Sequence, residues 1–280
     1  MNESLIIPKV DPYYYVENET KQMLERFDTI SKKHPVNILV TGKQGCGKTS
    51  LVRQFAAVND RPMATFQVGI LAEPGQLFGE YVLADGETRF KPFLFTEAIQ
   101  TPGCVIHLEE INRPEHPKAL NMLFSLLSDD RSVWFDEIGL IKVAENVIIF
   151  ATMNEGEEFI GTEMVDPALR DRFYTILLDY IPSQVEIEVL MKKTGVEREK
   201  VQEIISIVNK MRANPDIPMD VSTRTSLMMS ELVASGASVN DAITYSLQID
   251  KDQLESILLT LHLEQGSTSA KKTTKYTLYV

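Results

Sequence analysis

The chain has 280 residues, 44% of them hydrophobic, and a formal net charge of −12. That length supports one large domain or two modest ones around a sizeable core, and the acidic balance argues against a broad phosphate-binding face for nucleic acid. No run of eighteen or more apolar residues offers a membrane span, and the opening MNESLIIPKVDPYYY lacks the basic and apolar regions of a signal peptide, so a cytoplasmic enzyme with a protein client is expected.

In chain order, Tyr13, Tyr14 and Tyr15 precede a first helix and suit either packing on a nucleotide base or covering a core edge. An apolar run, Asn37–Thr41, reads as a strand and Ser50–Asn59 as a helix, and between them stands a complete GxxxxGK[ST] loop. Its glycines let the backbone turn sharply and approach a polyphosphate, so that free N–H groups at the start of the next helix face negative oxygens. Residues Gly42, Lys43, Gln44, Gly45, Cys46, Gly47, Lys48, Thr49 and Ser50 are the expected cradle for ATP. Lys48 is placed to reach the β- and γ-phosphates, and the Thr49 hydroxyl to meet Mg²⁺. The two cysteines, Cys46 and Cys104, make neither a disulfide framework nor a metal-ligand spacing.

Further strands are expected at Met63–Val68, Cys104–Leu108, Asn146–Thr152 and Thr175–Asp179, alternating with helices as in an α/β fold with a mostly parallel sheet. The run that carries His107 ends in Glu109-Glu110. Ligands sit at the C-terminal edge of a parallel sheet, so both carboxylates are delivered beside the phosphate loop. There Glu109 would orient Mg²⁺ and its waters, and Glu110 would polarise the attacking water. His107 lies in an apolar strand and is expected to be a satisfied sheet histidine. An Asp85-Gly86 pair within Tyr81–Phe90 signals a two-residue hairpin, and residues 131–143 suit another. Trp134 and Phe135 there suit contact with a client as well as core packing. After Pro182 the pattern turns helical, with Ser183–Thr194, Glu197–Arg212, Ser222–Ser235, Val239–Ile249 and Gln253–Leu263, and no convincing strand remains. The boundaries expected are an α/β domain over 1–182, a helical domain over 183–263, and a polar segment over 264–280 that reads as a tail or a docking strand.

The loop Gly42–Thr49, the run Leu108-Glu-Glu-Ile-Asn-Arg113, Ala151-Thr-Met-Asn154, Ala168-Leu-Arg-Asp-Arg-Phe173 and Ser222-Thr-Arg224 together resemble the ordered motifs of the AAA+ ATPases, specifically the MoxR group. Leu51–Ala57 and Asp166–Phe173 are similar to its CbbQ/NorQ and CobS branches. The resemblance implies a P-loop αβα sandwich followed by a small all-helical lid. It implies Asn154 as a sensor of the γ-phosphate. Arg172, with Arg170 beside it, becomes an arginine finger reaching into the neighbouring subunit, against the plainer reading of a surface ion pair. Arg224 becomes a second sensor in the lid, against that of a solvated helix-end arginine. It further implies a ring of six copies, hairpins facing the pore or client, and a partner that is often a von Willebrand factor A domain protein. Two kinds of work are implied, remodelling of a protein partner or driving metal chelation as in the CobS type. One departure stands out: most relatives carry Asp-Glu where this chain carries Glu109-Glu110. The extra methylene moves the first carboxylate outward by roughly one carbon–carbon bond, which leads us to expect slow hydrolysis or, at the limit, a nucleotide-gated scaffold. A DNA-acting ATPase is a further class, opposed by the acidic charge.

Overall fold

The computed structural model describes residues 5–84, 86–114, 117–154, 165–214, 221–247 and 275–280, together with 249, 255, 257 and 259. The elements run β1 (Tyr15–Glu17), α1 (Asn18–Ser31), β2 (Val36–Gly42), α2 (Lys48–Val58), β3 (Met63–Gln67), β4 (Gly79–Ala84), β5 (Glu87–Pro92), α3 (Leu94–Ile99), β6 (Val105–Glu109) and α4 (Asn121–Leu126). They continue with β7 (Ser132–Phe135), β8 (Gly139–Lys142), β9 (Ile148–Asn154), α5 (Pro167–Arg170), β10 (Tyr174–Leu178), α6 (Ser183–Thr194), α7 (Arg198–Ala213), α8 (Thr223–Ala234), α9 (Val239–Leu247) and β11 (Tyr276–Leu278).

Five parallel strands form the central sheet in the order β10-β2-β9-β6-β3. All seven residues of β2 are buried, as a strand covered on both faces must be. Side chains alternate across it. Val36, Ile38 and Val40 join Leu51, Phe55 and Phe150 on the α1/α2 face, while Leu39 joins Ile106, Leu108 and Phe95 on the other. The register places Gly42 opposite Asn154, and Gln67 opposite Glu109, at one edge of the sheet.

Two antiparallel hairpins stand off the sheet, β4–β5 and β7–β8. The segment before the first consists of two 3-10 turns, Val68–Ile70 and Pro74–Leu77, where Gly69, Pro74 and Gly75 interrupt any longer helix. Asp85, expected at a hairpin turn, lies outside the described residues. Helices α6 to α9 bury a third core of Leu190, Val201, Ile204, Val208, Met229 and Ile243. Within it the fully buried Glu186 pairs with both terminal nitrogens of Arg212 at 2.8 and 3.0 Å. The helix expected over 253–263 lies largely outside the described residues. The chain after Pro182 is not free of strand: β11 pairs antiparallel with β1, an element too short for periodicity to reveal.

Candidate functional site

The phosphate loop closes tightly on its surroundings. Gly42 has φ +148°, and a Cβ there would lie 2.1 Å from the Leu178 carbonyl oxygen; Gly45 has φ +69°, and its Cβ would lie 2.4 Å from Cβ of Ser222. No side chain larger than hydrogen fits at either place. Helix α2 begins at Lys48, two residues earlier than expected, behind a left-handed Gly47 that supplies no capping side chain. Its first N–H groups therefore remain for an anion.

Around this loop lies a cavity of about 470 Å³, lined by Gln44, Gly45, Cys46, Gly47, Lys48, Thr49 and Ser50 together with Glu109, Glu110, Asn154 and Arg224. Gly42 and Lys43 flank it and turn their carbonyls inward, where Lys48 Nζ donates to both at 2.9 and 2.7 Å. The same ammonium donates to Asn154 Oδ1 at 2.7 Å, a contact made possible by the adjacency of β2 and β9. Thr49 Oγ1 donates to Glu109 Oε1 at 2.7 Å, and Gln67 Nε2 donates to Glu109 Oε2. Glu110 leaves the strand with φ +58°, a left-handed conformation that is costly for a non-glycine residue and concentrates at functional sites. Backbone bonds hold the turn, from Ile111 N to Thr152 O at 3.1 Å and from Arg113 N to Glu110 O at 3.0 Å. The 3.6 Å pair of Glu110 with Arg113 is half exposed and adds little.

Arg224 enters from the helical part. Ser222 caps α8 by accepting from Thr225 N at 3.2 Å and packs on Gly45, carrying Arg224 to the cavity wall. Arg170 and Arg172 do not line the cavity. The Arg172 guanidinium lies 5.2 Å from the Phe124 ring centre and donates to the Ala168 carbonyl, beyond the short α5 that Asp166 caps. Lys43 turns its ammonium over the Tyr180 ring at 5.7 Å.

Several further residues belong here that sequence reasoning did not single out. Gln67 and Asn112 buttress the carboxylate edge, the latter donating to the Asn154 carbonyl at 3.2 Å. Asp11 and Lys193 form an ion pair on the opposite wall. Only the Gln67 position was recoverable beforehand, because aligning the ends of parallel strands sets it beside Glu109. All three tyrosines, Tyr13, Tyr14 and Tyr15, line the cavity with the apolar Ile181, Leu190 and Leu227. Burial pushes the Tyr14 phenol well above its ordinary range.

Burial also raises the Cys46 thiol, with Lys48 pulling the other way, so the thiol form persists and no reactive thiolate is set up. His107 is buried between two hydroxyls, Thr152 Oγ1 at 3.1 Å and Thr65 Oγ1 at 3.4 Å. No group of three or more His, Cys, Asp or Glu suited to a metal occurs among the described residues, and no described helix is long and apolar enough to cross a membrane.

Residues 37–173 match the AAA domain of the dynein-related subfamily, and residues 186–256 match the CbbQ/NirQ/NorQ C-terminal region. BssE of Thauera aromatica, described as a candidate chaperone, is 63% identical over 276 residues, spanning 99% of this chain and 96% of BssE. NorQ of Paracoccus denitrificans is 26% identical over 236 residues, covering 83% of this chain and 84% of NorQ. Among solved structures, the AAA domain of FIGL-1 in complex with ADP superposes with a TM-score of 0.56 at 13% identity, over 92% of each chain, a likeness of fold. The loop, the carboxylate edge and the helical part thus belong together as a nucleotide-binding AAA module, and the chain is a member of the MoxR-type AAA+ ATPases, in the branch of the CbbQ/NirQ/NorQ proteins.

Proposed function

We propose that the chain is a Mg²⁺-dependent ATP hydrolase that assembles as a ring, with six copies as the expected number, and uses hydrolysis to remodel a protein partner. The observation that carries this reading is convergence: Lys48 and Thr49 of α2, Glu109 and Glu110 at the end of β6, Asn154 of β9 and Arg224 of α8 meet on one cavity. The donor set also fits the metal. Thr49 and Glu109 bring a hydroxyl and a carboxylate together at 2.7 Å, the hard oxygen ligands that magnesium takes. Bound there, magnesium would neutralise charge on the β- and γ-phosphate oxygens.

The chain's own residues do the rest. Lys48 exchanges its bonds to the Gly42 and Lys43 carbonyls for phosphate oxygens. Glu110 accepts a proton from the water that attacks the γ-phosphorus as the bond to the bridging oxygen breaks, leaving ADP and phosphate. Asn154 hydrogen-bonds the γ-phosphate, and Arg224 reports its presence to helices α6–α9, which act as the lid. Arg172, with Arg170 beside it, completes the site of the adjacent copy. The similarity to BssE supports a chaperone-like action on a protein; a von Willebrand factor A domain protein or a metalloenzyme is the class of partner that the resemblance to the MoxR group implies.

Glu110→Gln tests this directly, because an amide cannot take the proton. Turnover measured as phosphate release should fall by about 10²- to 10⁴-fold while ATP binding is retained, and the trapped protein should co-purify with its partner in ATP. Equal turnover in both proteins would instead favour the nucleotide-gated scaffold, the reading to which the occupied carboxylate of Glu109 lends weight.

A further inference from the structure

Strand β11 is joined to the nucleotide cavity through a chain of contacts that the hydrolytic reading does not use. It is the only strand paired with β1 among the described residues, with Tyr15 opposite Leu278 and Glu17 opposite Tyr276. The Tyr279 N–H donates to the Tyr14 carbonyl at 3.0 Å, and Asn18 N–H donates to the Lys275 carbonyl at 3.1 Å. Lys21 Nζ donates to the Leu278 carbonyl at 3.1 Å. The Tyr279 side chain is 1% exposed and sits in the same core as Leu51 and Phe55 of α2.

One side chain gathers these parts. Gln54, on the helix that follows the phosphate loop and 2% exposed, accepts from Asp11 N at 2.9 Å, donates to the Asp11 carbonyl at 3.1 Å, and donates to the Tyr279 carbonyl. The arm 11–15 is thereby fastened along the cavity wall, and the Tyr14 hydroxyl lies 3.9 Å from a Cβ built on Gly47. A pair of three-residue strands is marginal by itself; the buried Tyr279 ring is what secures it.

We infer that β11, through Tyr279 and Gln54, is a positioning element of the nucleotide site: it holds the tyrosine arm in place against the base half of the ligand. This rests on the nucleotide-binding reading above. A wall held in its bound form lowers the ordering cost of binding, so the effect of losing β11 falls on affinity for the base and leaves the grip on phosphates. That division separates a positioning role from general damage, which would weaken both.

The experiment compares Mg·ATP and Mg·tripolyphosphate binding by calorimetry in the full chain and in Tyr279→Ala, Tyr279→Phe and Lys21→Ala. Tyr279→Ala should weaken ATP about tenfold and tripolyphosphate less than about twofold. Tyr279→Phe, which keeps the buried ring, should bind both like the parent. Lys21→Ala, at a partly buried position outside the apolar core whose ammonium bonds the Leu278 carbonyl and lies 5.8 Å from the Tyr279 ring centre, should show the same division at smaller size and decides the matter if Tyr279→Ala does not fold. ATP affinity unchanged in both alanine variants, or equal weakening of both ligands, overturns the inference. A parent protein that binds neither ligand overturns the nucleotide reading itself.

Discussion

At the scale of single residues, His107 connects burial to pH. Loss of solvent lowers its pKa to about 4 from the ordinary 6.5, because the charged imidazolium is disfavoured in the sheet. Between those values the unfolded chain holds a proton that the folded chain does not, so stability should fall as pH drops through this window and level off below it. The slope approaches about 1.4 kcal/mol per pH unit. His107→Gln removes this component, and denaturant titrations of both proteins should diverge between the two pKa values; parallel curves would rule the account out. The residues legible in sequence were those whose chemistry is fixed by a motif. Lys48, Thr49 and Glu110 follow from the loop and the end of a strand, whereas Gln67 and Asn112 are ordinary residues whose partners are set by register and backbone course. The consequence of Glu109 was also incomplete. Its carboxylate is in direct contact with Thr49 and Gln67, a closure that needs three elements to be known at once.

Among the elements, the two hairpins form one unit. Phe135 stacks on Phe78 with ring centres 5.0 Å apart and meets Phe90 of β5 at 5.5 Å, and the Tyr81 hydroxyl donates to Glu137. Trp134, by contrast, is 64% exposed, so the alternative left open for this pair divides, with Phe135 packed and Trp134 outside. Phe135→Ala should cost about 1–3 kcal/mol, less than a fully buried ring, and hydrogen exchange should quicken in β4–β5 as well as in β7–β8. Faster exchange confined to β7–β8 would mean that the hairpins move independently. The five core strands were each legible to within one or two residues because their apolar runs are long enough to carry a pattern. β1 was not, and β11 only as the docking-strand alternative for 264–280, since three residues carry no period and their pairing spans almost the whole chain.

For the whole molecule, the proposed ring makes one question decisive, namely which copy Arg172 would serve. It packs on Phe124 of its own chain, away from its own cavity, an arrangement that suits an arginine acting across an interface. Glu110→Gln and Arg172→Ala should each be inactive alone. Mixed in equal amounts, about a quarter of the interfaces would combine an intact Glu110 with an intact Arg172, and phosphate release should reappear; continued inactivity of an assembled mixture would place Arg172 in cis, and full activity of Arg172→Ala alone would place it outside catalysis. Linkage from the loop to the helical part has a route in the Tyr180 ring, whose centre lies 5.7 Å from the Lys43 ammonium and 4.6 Å from the Arg212 guanidinium, while its hydroxyl donates to the Gln44 carbonyl at 3.1 Å. The exposed indole of Trp134 has a practical meaning as well. It is the only tryptophan in the chain, so excitation at the red edge, where tyrosine does not absorb, selects one indole, and its emission colour and quenching by iodide report on the surroundings of one hairpin without any label.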